Sequence, residues 1–290
     1  RGRMGLDSFK ALGAAYVIAR DAVAARPEDP AGALEGRTYT AASAGNHGLS
    51  LAAGARVFGA LAVIFLAETV PESFADRLRA KGAEVRRAGA EYEASMAAAR
   101  ETAEREGWTL LSDSSWPGYF DIPFHVMEGY LVMADEAFRQ IGAAPTHLLL
   151  QAGVGGLAGA VAALARARWG DAPRIVVVEP DYAPALFESV AAGHPVTAPG
   201  PVSAMGRLDC KDPSLIALRG LAHDADAFVT LTEAAAEAAL PQLDAAGLAT
   251  TPSGGAGLAA LLAADRAARQ DLGLDGTSRV LAFLSEEPEP

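Results

Sequence analysis

The chain has 290 residues, 51% of them hydrophobic and 21% charged, which suits one large or two modest globular domains and excludes a disordered or fibrous polymer. Its 36 acidic residues outnumber its 24 basic ones, and the formal net charge of −12 counts against nonspecific binding to nucleic acid or to anionic membranes. The single cysteine, Cys210, excludes an internal disulfide framework and any Cys-x-x-Cys metal or redox site. No uninterrupted apolar run in the sequence is long enough to span a bilayer, and the expected compartment is the cytoplasm.

The chain opens Arg1-Gly2-Arg3-Met4, without a signal-peptide pattern, and closes on Glu286-Glu287-Pro288-Glu289-Pro290 directly after an apolar run, which reads as a sequence recorded without its flanks. Leu6-Asp7-Ser8-Phe9-Lys10 leads into an apolar helix start at Ala11. A compact αβ set follows from Tyr39: a strand, a helix over 46–58, a strand over 61–66, a helix over 72–81, a short strand at Val85 and a helix over 90–106. A boundary falls near Asp121. A second set then begins with an apolar stripe of Phe124, Met127, Leu131, Ala134, Phe138 and Ile141. Leu148 to Leu150, Ile175 to Val178, Phe228 to Leu231 and Val280 to Leu284 read as further buried strands, and Leu157, Val161 and Leu164 as a second helical stripe. Gly193 to Val202 and Ala143 to Pro145 are loops. Strands alternating with helices imply a mostly parallel sheet covered on both faces.

Ligands in such folds bind at the carboxyl ends of the strands, and three loops fit that place: Ser43 to Gly48, Gln151 to Leu157, and Ser285. Gly153-Val154-Gly155-Gly156 lies between a strand and a helix start, where backbone N–H groups and the helix dipole favour a phosphate, or where glycine serves only the close packing of a tight turn. A side chain at Gly155 is expected to obstruct that anion more than the fold. Gly153, Gly155 and Ala158 also satisfy the G-x-G-x-x-A dinucleotide fingerprint, with Glu179 where a ribose-binding acid sits, so a nicotinamide oxidoreductase stays open on these residues. Lysine is scarce, with only Lys10, Lys81 and Lys211. Lys81 ends a helix and Lys211 lies in a polar loop; Lys10 alone sits against an apolar helix start, either as a neutral, nucleophilic amine or as a lysine that snorkels to solvent. Ser43-Ala44-Gly45-Asn46-His47-Gly48 can hold a carboxylate on its backbone N–H groups and a ring oxygen on Asn46, or serve only as an N-cap ahead of a helix. His47 is a ligand contact or a packed core histidine. Asp113 contacts a polar or cationic substrate group or caps a loop. The five histidines lack metal-ligand spacing, and no H-E-x-x-H, G-x-S-x-G or Walker lysine motif occurs.

In order, these motifs resemble the fold-type II pyridoxal-phosphate enzymes, a family that includes serine and threonine dehydratases, and above all the diaminopropionate ammonia-lyases. The likeness runs through Gly5 to Lys10, Gly45-Asn46-His47-Gly48, Asp113 to Tyr119, Glu128-Gly129-Tyr130, the Gly153 to Gly156 loop, Val178-Glu179-Pro180-Asp181, Ser253 to Leu258, and Ser285. It implies an α/β chain of two parallel-sheet αβα domains with the cofactor in the cleft between them: a large domain of 1–38 and 124–290 and a small one of 39–123. It implies that Lys10, the catalytic residue, carries pyridoxal 5′-phosphate beside Phe9. Asn46 lies on the ring oxygen, Gly153, Val154, Gly155, Gly156 and Leu157 on the phosphate, and Ser285 beside the ring nitrogen. Ser43, Ala44, Gly45, His47 and Asp113 would meet the substrate. The implied reaction is α,β-elimination from a small β-substituted L-amino acid such as 2,3-diaminopropionate, giving a 2-oxo acid and ammonia, in a homodimer without nucleic-acid or membrane partners and without a metal. A serine or threonine dehydratase, a β-replacement enzyme and a catalytically silent relative are the neighbouring readings. The chain departs from the family in places. Where the ammonia-lyases have an acid that serves as a second base, this chain has Ala44; it has Pro252 in place of a second acid, and Glu286-Glu287 in place of a glycine-rich turn.

Overall fold

The computed structural model describes residues 5–288. The opening Arg1 to Met4 and the last two residues, on which the expectation of missing flanks partly rests, lie outside the described residues. Two compact units emerge: one holds Tyr119–Gly129 and the described part of Arg3–Asp113, the other Ser114–Gly118 and the described part of Tyr130–Pro290. The sequence grouping put 1–38 with the second sheet; here the segment that bears Lys10 packs with the first.

In the first unit, β1 (Thr38–Ala42), β2 (Leu61–Leu66), β3 (Glu84–Arg87) and β4 (Thr109–Leu110) form a sheet in the order β3-β2-β1-β4, with every pairing parallel. Parallel neighbours need crossovers, and α2 (Asn46–Phe58), α3 (Glu72–Ala80) and α4 (Tyr92–Glu106) supply them. α1 (Ala14–Ala25) precedes the sheet and packs on α2; Ala14, Ile18, Ala22, Leu51 and Ala55 are all fully buried. On one face of the sheet Val63 and Phe65 pack with Ala42 and Ala99, and Met96 and Trp108 close the edge of that cluster. β4 has only two residues and was not anticipated, because Trp108-Thr109-Leu110 is too short to show a period.

In the second unit, β5 (His147–Gln151), β6 (Arg174–Pro180), β7 (Ala227–Leu231) and β8 (Val280–Ala282) form a sheet in the order β7-β6-β5-β8, again all parallel. α6 (Gly156–Trp169), α7 (Ala185–Ala192), α8 (Leu215–Asp224), α9 (Glu233–Ala245), α10 (Ala256–Ala263) and α11 (Arg266–Asp271) complete it. Central β5 and β6 are buried along nearly their whole length, as their unbroken apolar runs require. The expectation of full burial fails at the edges. β7 and β8 are largely half-buried, and β8 stops at Ala282 rather than Leu284, since an edge strand has one neighbour and one open side.

α5 (Asp121–Gln140) carries residues of both units. Its buried face corrects the predicted stripe: Val126, Tyr130, Ala134 and Phe138 are buried, whereas Phe124 and Ile141 are 50% and 38% exposed. The register follows from Gly129, where an added Cβ would meet the Leu12 carbonyl oxygen at 2.0 Å, so the helix turns its smallest residue, not its most apolar row, toward that backbone. Among the described residues no helix is long and apolar enough to cross a membrane.

Candidate active site

Each candidate site residue lies at or beyond a strand's carboxyl end or in the turn that opens the chain, and they form one group in each unit. In the first unit, Ser8 caps a short 3-10 turn, Phe9–Leu12, its Oγ accepting the Lys10 N–H at 3.3 Å. Asp7, just before it, has φ 55, the one left-handed non-glycine residue among those described. This turn directs the Lys10 side chain to the carboxylate of Asp113, to which Nζ donates a hydrogen bond. The side chains are 21% and 20% exposed. The Phe9 ring lies 5.7 Å from Nζ. The apolar setting expected for Lys10 is therefore corrected: one wall is aromatic, and the nearest group is an anion, because the fold brings β4's end to a turn 103 positions earlier.

The loop that carries Asp113 is held from two sides. Tyr119 Oη accepts the Ser112 N–H at 3.0 Å and donates to the Leu110 carbonyl at 2.8 Å. His47 is buried, with Nε2 2.8 Å from the Leu111 carbonyl, a partner that can only accept and so places the proton on Nε2. Its Nδ1 makes no hydrogen bond and lies 3.9 Å from Asp113 Oδ2. Burial holds the imidazole below its usual value, and Lys10 adds to this, although Asp113 opposes it. For Asp113, burial alone would raise the carboxyl; the charges of Lys10 and His47 and the Lys10 hydrogen bond outweigh it and hold the group well below the usual carboxylate range. Ser43, Ala44 and Gly45 form the turn after β1, and Asn46 opens α2. Ser43 Oγ accepts the Gly48 N–H of the first turn of α2 at 3.2 Å, although the N-cap position foreseen for Ser43 falls to Gly45. Gly48 is required there, as a Cβ would lie 2.4 Å from the Ser43 carbonyl oxygen.

In the second unit, β5 leads through Ala152-Gly153-Val154-Gly155 into α6. Gly155 has φ +97 and caps the helix, whose first turn directs backbone N–H groups outward at its amino end. Val154 O accepts the Ser214 N–H at 3.0 Å, and Leu157 opens the buried face of α6. Of the two readings of these glycines, close packing is visible in the fold. A Cβ at Gly155 would meet Ala217 and Leu186 at 3.0 Å, and one at Gly153 would meet Cys210 Sγ at 3.0 Å, so both are constrained by protein packing. Ser285, 5% exposed, follows β8, and its Oγ lies 3.1 Å from Gln151 Nε2. Sequence reasoning gives Gln151 no role; its place two positions before Gly153, at the end of β5, is the available signal.

The remaining lysines are accounted for. Lys81 Nζ is exposed and contacts the Gly5 carbonyl, and Lys211 Nζ ties the carbonyls of Tyr182 and Pro201 to Asp209. Glu179 is also accounted for. Its two carboxylate oxygens accept the N–H groups of Leu186 and Phe187 at 2.8 and 2.7 Å, so it caps the start of α7 and is not presented to a ribose. That removes the acid on which the nicotinamide reading depended.

The first unit thus presents a partly exposed lysine amine beside an ionised carboxylate, and the second a glycine turn at a helix start with a hydroxyl beyond its last strand, within a two-sheet α/β protein. The family model for "Pyridoxal-phosphate dependent enzyme" matches residues 3–286, and the chain belongs to that family. Its fold is that of the fold-type II members. It is similar to the diaminopropionate ammonia-lyase of Escherichia coli (strain K12), 32% identical over 81% of this chain and 62% of the relative, and to that of Salmonella typhimurium, 30% identical over 79% and 62%. It is also similar to the crystal structure of the Escherichia coli enzyme in complex with D-serine, with a TM-score of 0.90 and 28% identity over 98% of this chain and 78% of that one. The chain thus spans 62% of the length of these curated relatives. The residues fit pyridoxal phosphate on this chain's own evidence: Gly155 at φ +97 opens α6 with its N–H groups outward, and Lys10 Nζ is partly exposed beside an ionised partner.

Proposed function

We propose that this protein catalyses α,β-elimination from a small β-substituted L-amino acid, 2,3-diaminopropionate first among them, releasing a 2-oxo acid and ammonia. The observation that carries the reading is the Lys10–Asp113–His47 cluster. When bound, pyridoxal phosphate supplies an electron sink for the negative charge left at the substrate's α carbon. Lys10 is the attachment point, and its amine, once released, is the base that takes the Cα proton onto Nζ. Asn46 meets the ring oxygen, Phe9 flanks the lysine, and the backbone of Gly153 to Leu157 takes the phosphate.

Asp113 supports the choice of substrate. Its carboxylate is ionised and mostly buried, and Lys10 is its cation. Once Lys10 is committed to the cofactor, the carboxylate needs another cation, and the β-ammonium of a diamino acid is one that serine cannot offer. His47 Nδ1 faces the same carboxylate as a hydrogen-bond acceptor, which suits an N–H donor. The substrate carboxylate goes to the Ser43 hydroxyl and the backbone of Ala44 and Gly45 at the amino end of α2. Loss of the Cα proton and of the β-amino group, followed by addition of one water, balances to one 2-oxo acid and two ammonia.

Borohydride reduction of the cofactor-saturated protein should place the label on the peptide containing Lys10. Label on Lys81 or Lys211, or none at saturation, would overturn the assignment. We further propose a cytoplasmic homodimer. Exposed Val23, Val57 and Leu61, all apolar and at least 49% exposed, support a covered surface. Light scattering should give twice the mass of one chain.

A further inference from the structure

Glu286 follows Ser285 just past an edge strand, yet it is only 5% exposed, a burial that a glutamate reaches only when it is partnered. The segment ahead of α10 builds its place. Thr251 Oγ1 donates to Glu286 Oε1, and Thr250 Oγ1 donates to the Glu286 carbonyl at 2.8 Å. Thr251 Oγ1 also accepts the Gly254 N–H at 2.9 Å. A Cβ on Gly254 would lie 2.8 Å from Glu286 Cγ, so the stem of the glutamate packs on that glycine. The Gly254 carbonyl in turn accepts the Ser285 N–H at 3.2 Å and a hydrogen of Gln151 Nε2 at 2.9 Å, and Gln151 also donates to the Phe283 carbonyl at 2.8 Å. On its other side the Glu286 carboxylate faces Arg207, with Oε2 4.0 Å from Nε and the two side chains 7% and 29% exposed. The Arg207 backbone is tied as well. Its N–H goes to Ser253 Oγ at 3.1 Å, and its carbonyl oxygen lies 3.3 Å from where a Cβ on Gly153 would stand. One carboxylate therefore sits at the junction of three segments: the residues beyond β8, the loop that enters α10, and the loop that rests on Gly153.

We infer that Glu286 is a positioning residue for the cofactor: its carboxylate, acting through Thr251 and Arg207, keeps the backbone that rests on Gly153 in register with the segment after β8. This rests on the pyridoxal-phosphate reading and deepens it. A buried carboxylate is retained against its desolvation cost only where its partners repay it. Here each partner leads to a proposed cofactor contact, Thr251 through Gly254 to the Ser285 backbone and Arg207 through its carbonyl to Gly153. Two departures of the sequence also become one exchange. The likeness places an acid where this chain has Pro252, and a glycine-rich turn where it has Glu286-Glu287. Glu286 reaches from beyond β8 to Thr251, the residue next to Pro252, so the carboxylate has changed its place in the sequence and kept its neighbourhood in the fold.

The test is the dissociation constant of pyridoxal phosphate, read by cofactor absorbance on the full chain, with urea midpoints of the cofactor-free protein measured beside it. Glu286→Gln keeps the shape and an acceptor for Thr251 but removes the charge, and the constant should rise about tenfold, the usual worth of one charge-assisted contact. Arg207→Gln should raise it to a similar extent. The double variant should bind no more weakly than either single one, because both remove the same contact. Pro252→Glu added to Glu286→Gln returns an acid to the neighbourhood and should recover most of the loss. A purely structural carboxylate gives another pattern: a lower urea midpoint with an unchanged dissociation constant, or losses that multiply in the double variant. Either result would overturn the inference, and so would a folded Pro252→Glu, Glu286→Gln protein that recovers nothing. If that protein does not fold, the cycle between Arg207 and Glu286 decides alone. If Glu286→Gln itself does not fold, Arg207→Gln decides, and an unchanged constant there refutes the role. Failure of the native protein to bind pyridoxal phosphate at all is a different failure, that of the cofactor site itself.

Discussion

Asp113 and Ala44 set the residue-scale expectations, because one is a charge in a largely dry corner and the other is an absent charge. Asp113→Asn keeps the shape and removes the anion. If the carboxylate receives the substrate's β-ammonium, kcat/KM for 2,3-diaminopropionate should fall by about 10²-fold or more while that for L-serine falls much less, since an unpaired buried ammonium costs several kcal/mol. Equal losses for both substrates would reduce Asp113 to a partner of Lys10. Ala44 cannot take a proton, and on the proposed assignment Lys10 is the base, on one face of the cofactor. Turnover of L-substrates should exceed that of their D-enantiomers by ~10²–10⁴-fold, the usual worth of a positioned base. Comparable rates for L- and D-2,3-diaminopropionate would contradict this, and D-activity gained in Ala44→Asp would support it. The relative solved with D-serine makes the comparison pointed, because this chain has no acid at Ala44.

At the scale of elements, β6 and α7 are joined by Glu179, whose carboxyl burial raises from 4.5 to about 7 against the pull of the two N–H groups at the start of α7. A folded value above the unfolded one means that the folded state holds its proton more tightly. The stability from this group is therefore fully present below pH 4.5 and lost as pH rises through about 7. The loss is about 3 kcal/mol at most. Urea midpoints of cofactor-free protein should fall between pH 5 and pH 8, and Glu179→Gln should flatten that fall; an unchanged slope would show that the carboxyl stays ionised throughout. Asp113 has the opposite sign, with its stability present above pH 3.8 and lost below it, so the two windows do not overlap. The β5–α6 turn behaves differently from its sequence reading. Gly155→Val brings a branched side chain to a φ of +97 and against Leu186 and Ala217, so it should lower the urea midpoint even without cofactor, by ~1–3 kcal/mol in stability. Loss of cofactor binding alone, with an unchanged midpoint, would restore the simpler view of that glycine.

For the whole molecule, binding to the folded state and not to the unfolded chain must raise stability by mass action. Pyridoxal phosphate at a hundred times its dissociation constant should add about 2.7 kcal/mol and raise the Tm by several degrees. If Lys10 holds the cofactor covalently, as proposed, Lys10→Ala should reduce that rise sharply; an undiminished shift in the variant would place the main binding contacts elsewhere. What could be read from the residues beforehand was considerable. The run Ile175 to Val178 reads as a buried strand and lies within β6, helix 46–58 matches α2 end to end, and lysine's scarcity singled out Lys10. Local signals of this kind depend on period, length and turn chemistry, which neighbours along the chain supply on their own. The rest depended on residues far apart in sequence. Composition cannot say that a carboxylate 103 positions away meets Lys10, that an imidazole buried against the Leu111 carbonyl turns a bare nitrogen to the same carboxylate, or that two carbonyls from distant loops orient Gln151. The glycines show the division most clearly. The chain alone announced that Gly153 and Gly155 were needed, but their reason, close packing on Cys210 and Leu186 as well as an open helix end, exists only once the sheet has brought those segments together.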